Sequence, residues 1–290
     1  MASISIREKR AAGRPLPRIR PGRIIAWIVL IAVACISLWP MYWLFVTAFT
    51  PTTFAIKTPP DVVPFHGDLS NFQRLLTQAS DYWTWGGNSL LVAISITLFH
   101  VVFDTMAGYA FAKKRFPGRQ ILFWIVISTM MVPAYVTLVP LYIVTKDMSL
   151  INTLWAVILP GFASVFGIFL MRQYIQTLPS ELMDAARIDG CGEIGVFWHV
   201  IMPLSRPAIG ALAIFTFVRH WNDYLWPLIV LQSSNKYTLP VGVAGLQGEF
   251  STDFGIIFAG AALAALPMII FFMIFQRYFL SGVRMGAIKG

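Results

Sequence analysis

From Ile24 to Phe49 the chain carries no charged side chain, and five further apolar stretches follow at roughly 89–112, 121–145, 153–172, 207–231 and 255–276. A helix needs about 20 apolar residues to cross the hydrocarbon core of a bilayer, so the pattern predicts six spans. The composition agrees: 57% of the residues are hydrophobic and 12% charged, whereas a soluble domain carries about 25% charged residues. That is too little charge to solvate a water-facing surface. The ten-residue apolar/polar alternation of an outer-membrane barrel is missing, and the expected fold class is an all-α membrane protein. Pro133 and Pro140 fall in the third stretch, Pro160-Gly161 in the fourth, Pro227 in the fifth and Pro267 in the sixth. Neighbouring helices can satisfy the carbonyls that such breakers free, so bent helices around a cavity are expected.

Orientation follows from the basic residues, which collect on the cytoplasmic side of a membrane protein. Of the 22 Lys and Arg, seventeen fall on one side: seven in the arm before Ile24, four in "KKRFPGRQ" (113–120), three in 172–206 and three after Phe275. Lys57, Arg74, Lys146 and Lys236 fall on the other side, and Arg219 lies within a span. Both termini are therefore expected in the cytoplasm. The formal charge of +9 reflects this topology, and the nucleic-acid reading falls away. "AVAC" (32–35) loosely resembles a processing site, but the apolar run continues well past Cys35, beyond the about 7–15 residues of a secretory core. The first span is expected to stay. Cys35 lies in an apolar run and Cys191 in a polar loop, an arrangement that does not suggest a disulfide.

"DGCGEIG" (189–195) contains a literal G-x-G-x-x-G. A dinucleotide-binding turn needs a buried strand directly before those glycines. Here the preceding residues are "PSELMDAARID", a helix with Pro179-Ser180 at its start and Glu181 and Asp184 in its first turn, where the dipole favours acids. Gly190 is its natural stop. A second short helix, with Val196, Phe197, Val200 and Ile201 on one face, runs to Pro203. The glycines mark a helix–turn–helix corner.

That corner resembles the cytoplasmic signature of ABC-importer permeases: E-A-A, three residues, G, nine residues, I-x-L-P. It stands here as Asp184-Ala185-Ala186, Gly190, then Val200-Ile201-Met202-Pro203, with Asp for Glu, Val for Ile and Met for Leu. Three further segments resemble MalG-like carbohydrate permeases in the same order: "FTPTTFAIKTPPDVVPFHGDLSNFQRLL" (49–76), "WNDYLWPLIVLQSSNKYTLPVGV" (221–243) and "QRYFLSGVRMGAIKG" (276–290). The resemblance implies a six-span type I ABC importer permease fold in a bacterial or archaeal cytoplasmic membrane. It also implies a coupling helix, carried by Glu181, Asp184, Ala185, Ala186, Asp189, Gly190 and Pro203, that docks into the ATPase subunit. The implied partners are two ATPase subunits, a second permease and an external solute-binding protein, with a di- or oligosaccharide as cargo. Glycerol phosphate or another polyol remains an alternative cargo. The organisation expected is a basic arm (1–23), a membrane domain (24–279) with an external segment (50–88) and coupling loop (176–206), and a tail (280–290) able to reach the ATPase pair.

No Walker A pattern, H-E-x-x-H, Cys/His cluster or G-x-S-x-G occurs, so a non-catalytic chain without metal or cofactor is expected. ATP and Mg would belong to the partner subunits. Ionisable residues inside spans are costly and mark candidate functional positions. In the fifth span Arg219, Trp221, Asn222, Asp223 and Trp226 read either as a substrate pathway, with hydrogen bonds to sugar hydroxyls and stacking on a pyranose face, or as a polar network between helices. Arg219 and Asp223 share a face and are expected to be able to pair. In the second span His100 and Asp104 stand at i, i+4, as a structural pair or, with Arg219 and Asp223, as the machinery of a proton-coupled carrier that would work without a partner chain. Trp83 and Trp85 suit an interfacial position.

Overall fold

The computed structural model describes residues 21–51, 67–250 and 253–287. The arm up to residue 20, the first half of the external segment with Lys57, and the end of the tail lie outside the described residues. Within them all regular structure is helical. The organising helices are α1 (Pro21–Ala48), α2 (Ser70–Gln78), α3 (Tyr82–Lys113), α4 (Arg119–Met131), α5 (Ala134–Asp147), α6 (Trp155–Gln176), α7 (Glu181–Ile188), α8 (Glu193–Leu204), α9 (Arg206–Trp221), α10 (Leu225–Val230), α11 (Leu239–Glu249) and α12 (Phe254–Ala287).

Four of these, α1, α3, α6 and α12, are long and apolar enough to cross a membrane, and the count rises to six if each of two bent pairs forms one span. The bent pairs are where the structure departs from simple rods. The expected third span turns by 101° between α4 and α5. Pro133 has extended ψ (133°) and Val132 before it is extended too, because proline lacks an N–H and disfavours helix at the preceding residue. The second pair, α8 and α9, bends by 80° at Ser205, ahead of the expected fifth span. That span is itself shorter than its apolar run: α9 stops at Trp221, and Asn222–Tyr224 separate it from α10.

Helix α1 is apolar all round and exposed along most of its length, the pattern of a lipid-facing helix. Only its last turn is buried: Ala48 packs with Leu75 and Ala79 of α2, Trp85 of α3, Leu246 of α11 and Ala259 of α12. A second cluster joins Tyr109 of α3, Met171 and Ile175 of α6, Met183 of α7, Phe197 and Ile201 of α8 and Leu212 of α9. A third holds Val92 and Ile96 against Ala156–Ile158 and Val230. The chain thus has one packed end around α2 and α11 and another around α7 and α8, with α3 belonging to all three clusters.

The C-terminal half of α3 lies directly on α6. A Cβ at Gly108 would stand 2.7 Å from the Met171 Cβ and 2.8 Å from the Arg172 backbone nitrogen. Gly108→Val is therefore expected to force the helices apart at about 1–3 kcal/mol, lowering the Tm of the detergent-purified protein. Gly87→Ala, which meets nothing within 4 Å, serves as the control in the same measurement and should hold or slightly raise the Tm.

Candidate functional site

The segment 180–204 is built by α7, a tight turn and α8. Glu181 and Asp184 lie in the first turn of α7, where they complement the helix dipole. Ser180 precedes the helix, but its side chain makes no cap; its carbonyl accepts the Met183 and Asp184 N–H groups. At the other end Gly190 has φ +87°. Its N–H donates to the Arg187 carbonyl (3.0 Å), and the Cys191 N–H donates to the Ala186 carbonyl (2.9 Å). These two bonds form a Schellman C-cap, which requires the left-handed conformation that glycine adopts without strain. Gly192 is extended and its carbonyl opens α8 by accepting the Val196 N–H at 2.9 Å. The three glycines of "DGCGEIG" therefore serve a corner between two helices.

Met183 buries α7 in the second cluster and Ala186 leans on it, while Glu181, Asp184, Ala185, Asp189 and Gly190 face outward. On either side of the turn Ile188 is 86% and Ile194 76% exposed. The corner is thus a knob with small and apolar residues at its tip and carboxylates on its flank. Pro203 is exposed near the end of α8, whose inner face, Val196, Phe197 and Ile201, is buried.

Charges tie this knob to α3. Lys113 donates to the Leu178 carbonyl at 2.5 Å and approaches that of Gln176 (3.4 Å), so it serves the carbonyls at the C-terminal end of α6 as a cation at a helix C-terminus should. Lys114 forms an ion pair with Glu193, which also accepts from the Tyr109 hydroxyl at 3.2 Å and meets Arg187 at 3.5 Å; Arg187 in turn pairs with Asp184 at 2.6 Å. Burial, and after it the Arg187 charge, push the Lys114 pKa down. Lys113, Lys114, Arg187, Ile188, Glu193 and Ile194 were not among the sequence candidates. The signal for them was a basic pair ending an apolar stretch and isolated isoleucines in a polar loop.

The fifth-span candidates are not gathered at one point. Trp221 is buried and stacks on Phe217, ring centroids 5.9 Å apart. With Asn222 it lines an open, mostly apolar groove of about 660 Å³ against α1, α11 and α12. The Asn222 amide donates to the Val218 carbonyl at 2.8 Å, closing the end of α9. Trp226 packs with the third cluster, its indole N–H donating to the Ala156 carbonyl at 2.9 Å. Arg219 is exposed and Asp223 half-buried, and the two form no ion pair among the described residues. Trp83 is exposed, but Trp85 is buried and donates to the Ser234 carbonyl at 2.8 Å, so it is a core residue rather than an interfacial anchor. Both described cysteines are free. Among the described residues no group of three or more His, Cys, Asp or Glu could hold a metal.

Residues 104–285 match the family described as "Binding-protein-dependent transport system inner membrane component". The chain is 38% identical to the arabinooligosaccharides transport system permease protein of Halalkalibacterium halodurans, over 92% of this chain and 98% of that one. It is 31% identical to the lactose transport system permease protein of Rhizobium radiobacter (92% and 96% covered). It is also 31% identical to the sn-glycerol-3-phosphate transport system permease protein of Salmonella typhi (90% and 95%). Its fold resembles a chain from the crystal structure of a bacterial ABC transporter involved in the import of the acidic polysaccharide alginate, with a TM-score of 0.80 and 23% identity over 91% of this chain and all of that one.

An isolated exposed ion pair is worth about 0–1 kcal/mol, but Glu193 serves Lys114, Arg187 and Tyr109 together. Glu193→Lys is expected to loosen the α7–α8 corner, so that an arginine-specific protease cuts after Arg187 about fivefold faster. Adding Lys114→Glu should restore most of the protection. Digestion of the purified protein, followed by mass spectrometry, reads this directly.

Proposed function

The chain belongs to the family of binding-protein-dependent transport system inner membrane components, and on that premise we propose that it is the permease subunit of an ATP-driven sugar importer. The observation that carries this reading is the α7–α8 corner: a knob of small and apolar residues, flanked by acids and packed into the membrane domain by Met183, Phe197 and Ile201. Such a knob suits a cleft on another protein. That protein is an ATPase subunit, which holds ATP and Mg, and this chain performs no catalysis itself. The excess of basic residues supports a cytoplasmic position for the corner and both termini, in a bacterial or archaeal inner membrane.

A chain with so few spans completes its pathway with a second, related permease, and an external binding protein delivers the cargo. Glu181, Asp184, Ala185, Ala186, Asp189, Gly190 and Pro203 make the ATPase joint. Arg219, Asn222 and Asp223, at the break that ends α9, supply polar groups to the pathway, with Trp221 and Trp226 packing its wall. An oligosaccharide is the favoured cargo, because relatives named for arabino-oligosaccharides and lactose are among those this chain resembles. The similarity to a glycerol-phosphate permease keeps a phosphorylated polyol as the second reading, which the exposed Arg219 would suit.

The test is ATP hydrolysis by the assembled complex in proteoliposomes, native against Asp184→Lys with Gly190→Pro. Liganded binding protein should stimulate the native complex and lose about tenfold or more of that effect on the variant, equivalent to ~1.4 kcal/mol of coupling. Normal stimulation in the variant would reject the joint. Uptake of labelled arabino-oligosaccharide against sn-glycerol 3-phosphate by the native complex separates the two cargoes.

A further inference from the structure

A polar cluster buried between spanning helices takes no part in the coupling corner. Asp104 is fully buried. Its Oδ1 accepts the Ser164 backbone N–H at 3.0 Å, and its Oδ2 lies 3.4 Å from the Ser164 hydroxyl and 3.1 Å from His100 Nδ1. His100 Nε2 stands 2.7 Å from the Gly161 carbonyl, and its Nδ1 3.3 Å from the Thr216 hydroxyl. The cluster therefore joins α3, α6 and α9. A carbonyl only accepts, so Nε2 carries a proton. Nδ1 and Oδ2 attract at 3.1 Å only with one further proton between them, on the ring or on the carboxyl. Either arrangement leaves the pair neutral overall, which suits its surroundings. The pair, neighbours at i, i+4, spans a wide π-turn over His100–Asp104, a device common at functional positions in helices.

What the cluster holds is a break. Helix α6 is interrupted at Phe162–Ser164, where Ser164 is extended and its hydroxyl accepts the Gly167 N–H at 2.9 Å to start the second half. A Cβ at Gly167 would stand 1.9 Å from Asp104 Oδ2, so the carboxylate occupies space that only glycine leaves open. Below the break, the second half of α6 and the end of α3 share the second cluster with α7 and α8, and Lys113 and Lys114 bind the coupling segment. A continuous packed path thus runs from the corner at Gly190 to the break in α6.

We propose that Asp104 and His100 are positioning residues that clasp this break to α3 and α9, so that a displacement of the coupling corner is delivered to residues 162–164 instead of being absorbed by α6. This rests on the importer reading above. Ala163, exposed within the break, is the place where the delivered motion is felt.

The experiment uses the assembled complex in a Cys35→Ala, Cys191→Ala background with Ala163→Cys as reporter, and measures maleimide labelling without nucleotide and after vanadate trapping with ATP. The expected result is a difference in labelling rate of about fivefold in the parent, falling to less than about 1.5-fold in Asp104→Leu while ATP hydrolysis continues. Asp104→Asn should recover at least half of the difference, since its amide can accept from Ser164 and donate to His100. A full difference in Asp104→Leu, no recovery in Asp104→Asn, or equal rates in a parent that hydrolyses ATP would each overturn the clasp. Should Asp104→Leu not assemble, His100→Leu must show the same loss, and a native difference there overturns the proposal. A parent complex without ATP hydrolysis instead refutes the importer reading.

Discussion

An amide or carbonyl freed by a helix break inside hydrocarbon has no water to turn to, and this constraint explains what stands beside the break in α6. At the break in α6 the freed Gly161 carbonyl faces His100, and the Ser164 N–H faces Asp104. The Ala156 carbonyl, near the start of the same helix, takes the Trp226 indole N–H. Where α10 ends, the Val230 carbonyl accepts the Asn152 N–H at 2.7 Å, and the Asn152 side chain accepts the Gln232 and Ser233 N–H groups, both at 3.0 Å. Asn152 does this from a left-handed backbone, φ +62°, a conformation asparagine tolerates better than most residues. At these places the freed groups meet polar groups from distant segments of the chain, which fixes the geometry there.

Helix α3 gathers these constraints. Near its start Trp85 and Asn88 donate to the carbonyls of Ser234, Asn235 and Tyr237, and the Ser89 hydroxyl accepts the Leu239 N–H at 2.7 Å. Near its end Lys113 and Lys114 hold α6 and the coupling corner. Between these lies the His100–Asp104 turn. A single element therefore touches the loop at one end of the molecule, the corner at the other and the break in the middle. Coupling between distant sites can be carried by packed side chains and rigid elements that have two arrangements, and α3 with its clasp supplies a contiguous part of such a chain.

Much of this was legible in the sequence, for identifiable reasons. Length and charge scarcity act locally, so the apolar stretches were readable, and Gly190 read as a helix stop because a C-cap is made within a few residues of chain. The bend of 101° at Pro133 was not readable: proline announces a break, but the angle is set by what the two halves pack against. The early end of α9 at Trp221 was hidden in the same way, since Asn222 and Asp223 look no different in a bent span than in a straight one. Trp85 sits over Gly242, where a Cβ would come within 2.1 Å of its ring. Nothing in "TLPVGV" reveals that the notch belongs to a tryptophan so far back in the chain. The Asp104–Gly167 fit was invisible for the same reason, because long-range complementarity leaves no local pattern.

The buried carboxylate is also the least economical way to hold two helices together. Desolvation of a buried ionic pair often cancels its attraction, and apolar replacements of similar volume can match or exceed its stability. An apolar residue at position 104 would close the space against α6, yet it could accept neither the Ser164 N–H nor a bond from His100. The extended residue at the break would then lose the groups that define its position while the bundle stayed packed. Stability and geometry separate at this point: the second cluster around Met171, Ile175 and Phe197 holds the helices in contact, and Asp104 ties the break in α6 to α3. A structure that needed only to stand in the membrane could dispense with the carboxylate. One that has to present the same break each time its coupling corner is displaced could not.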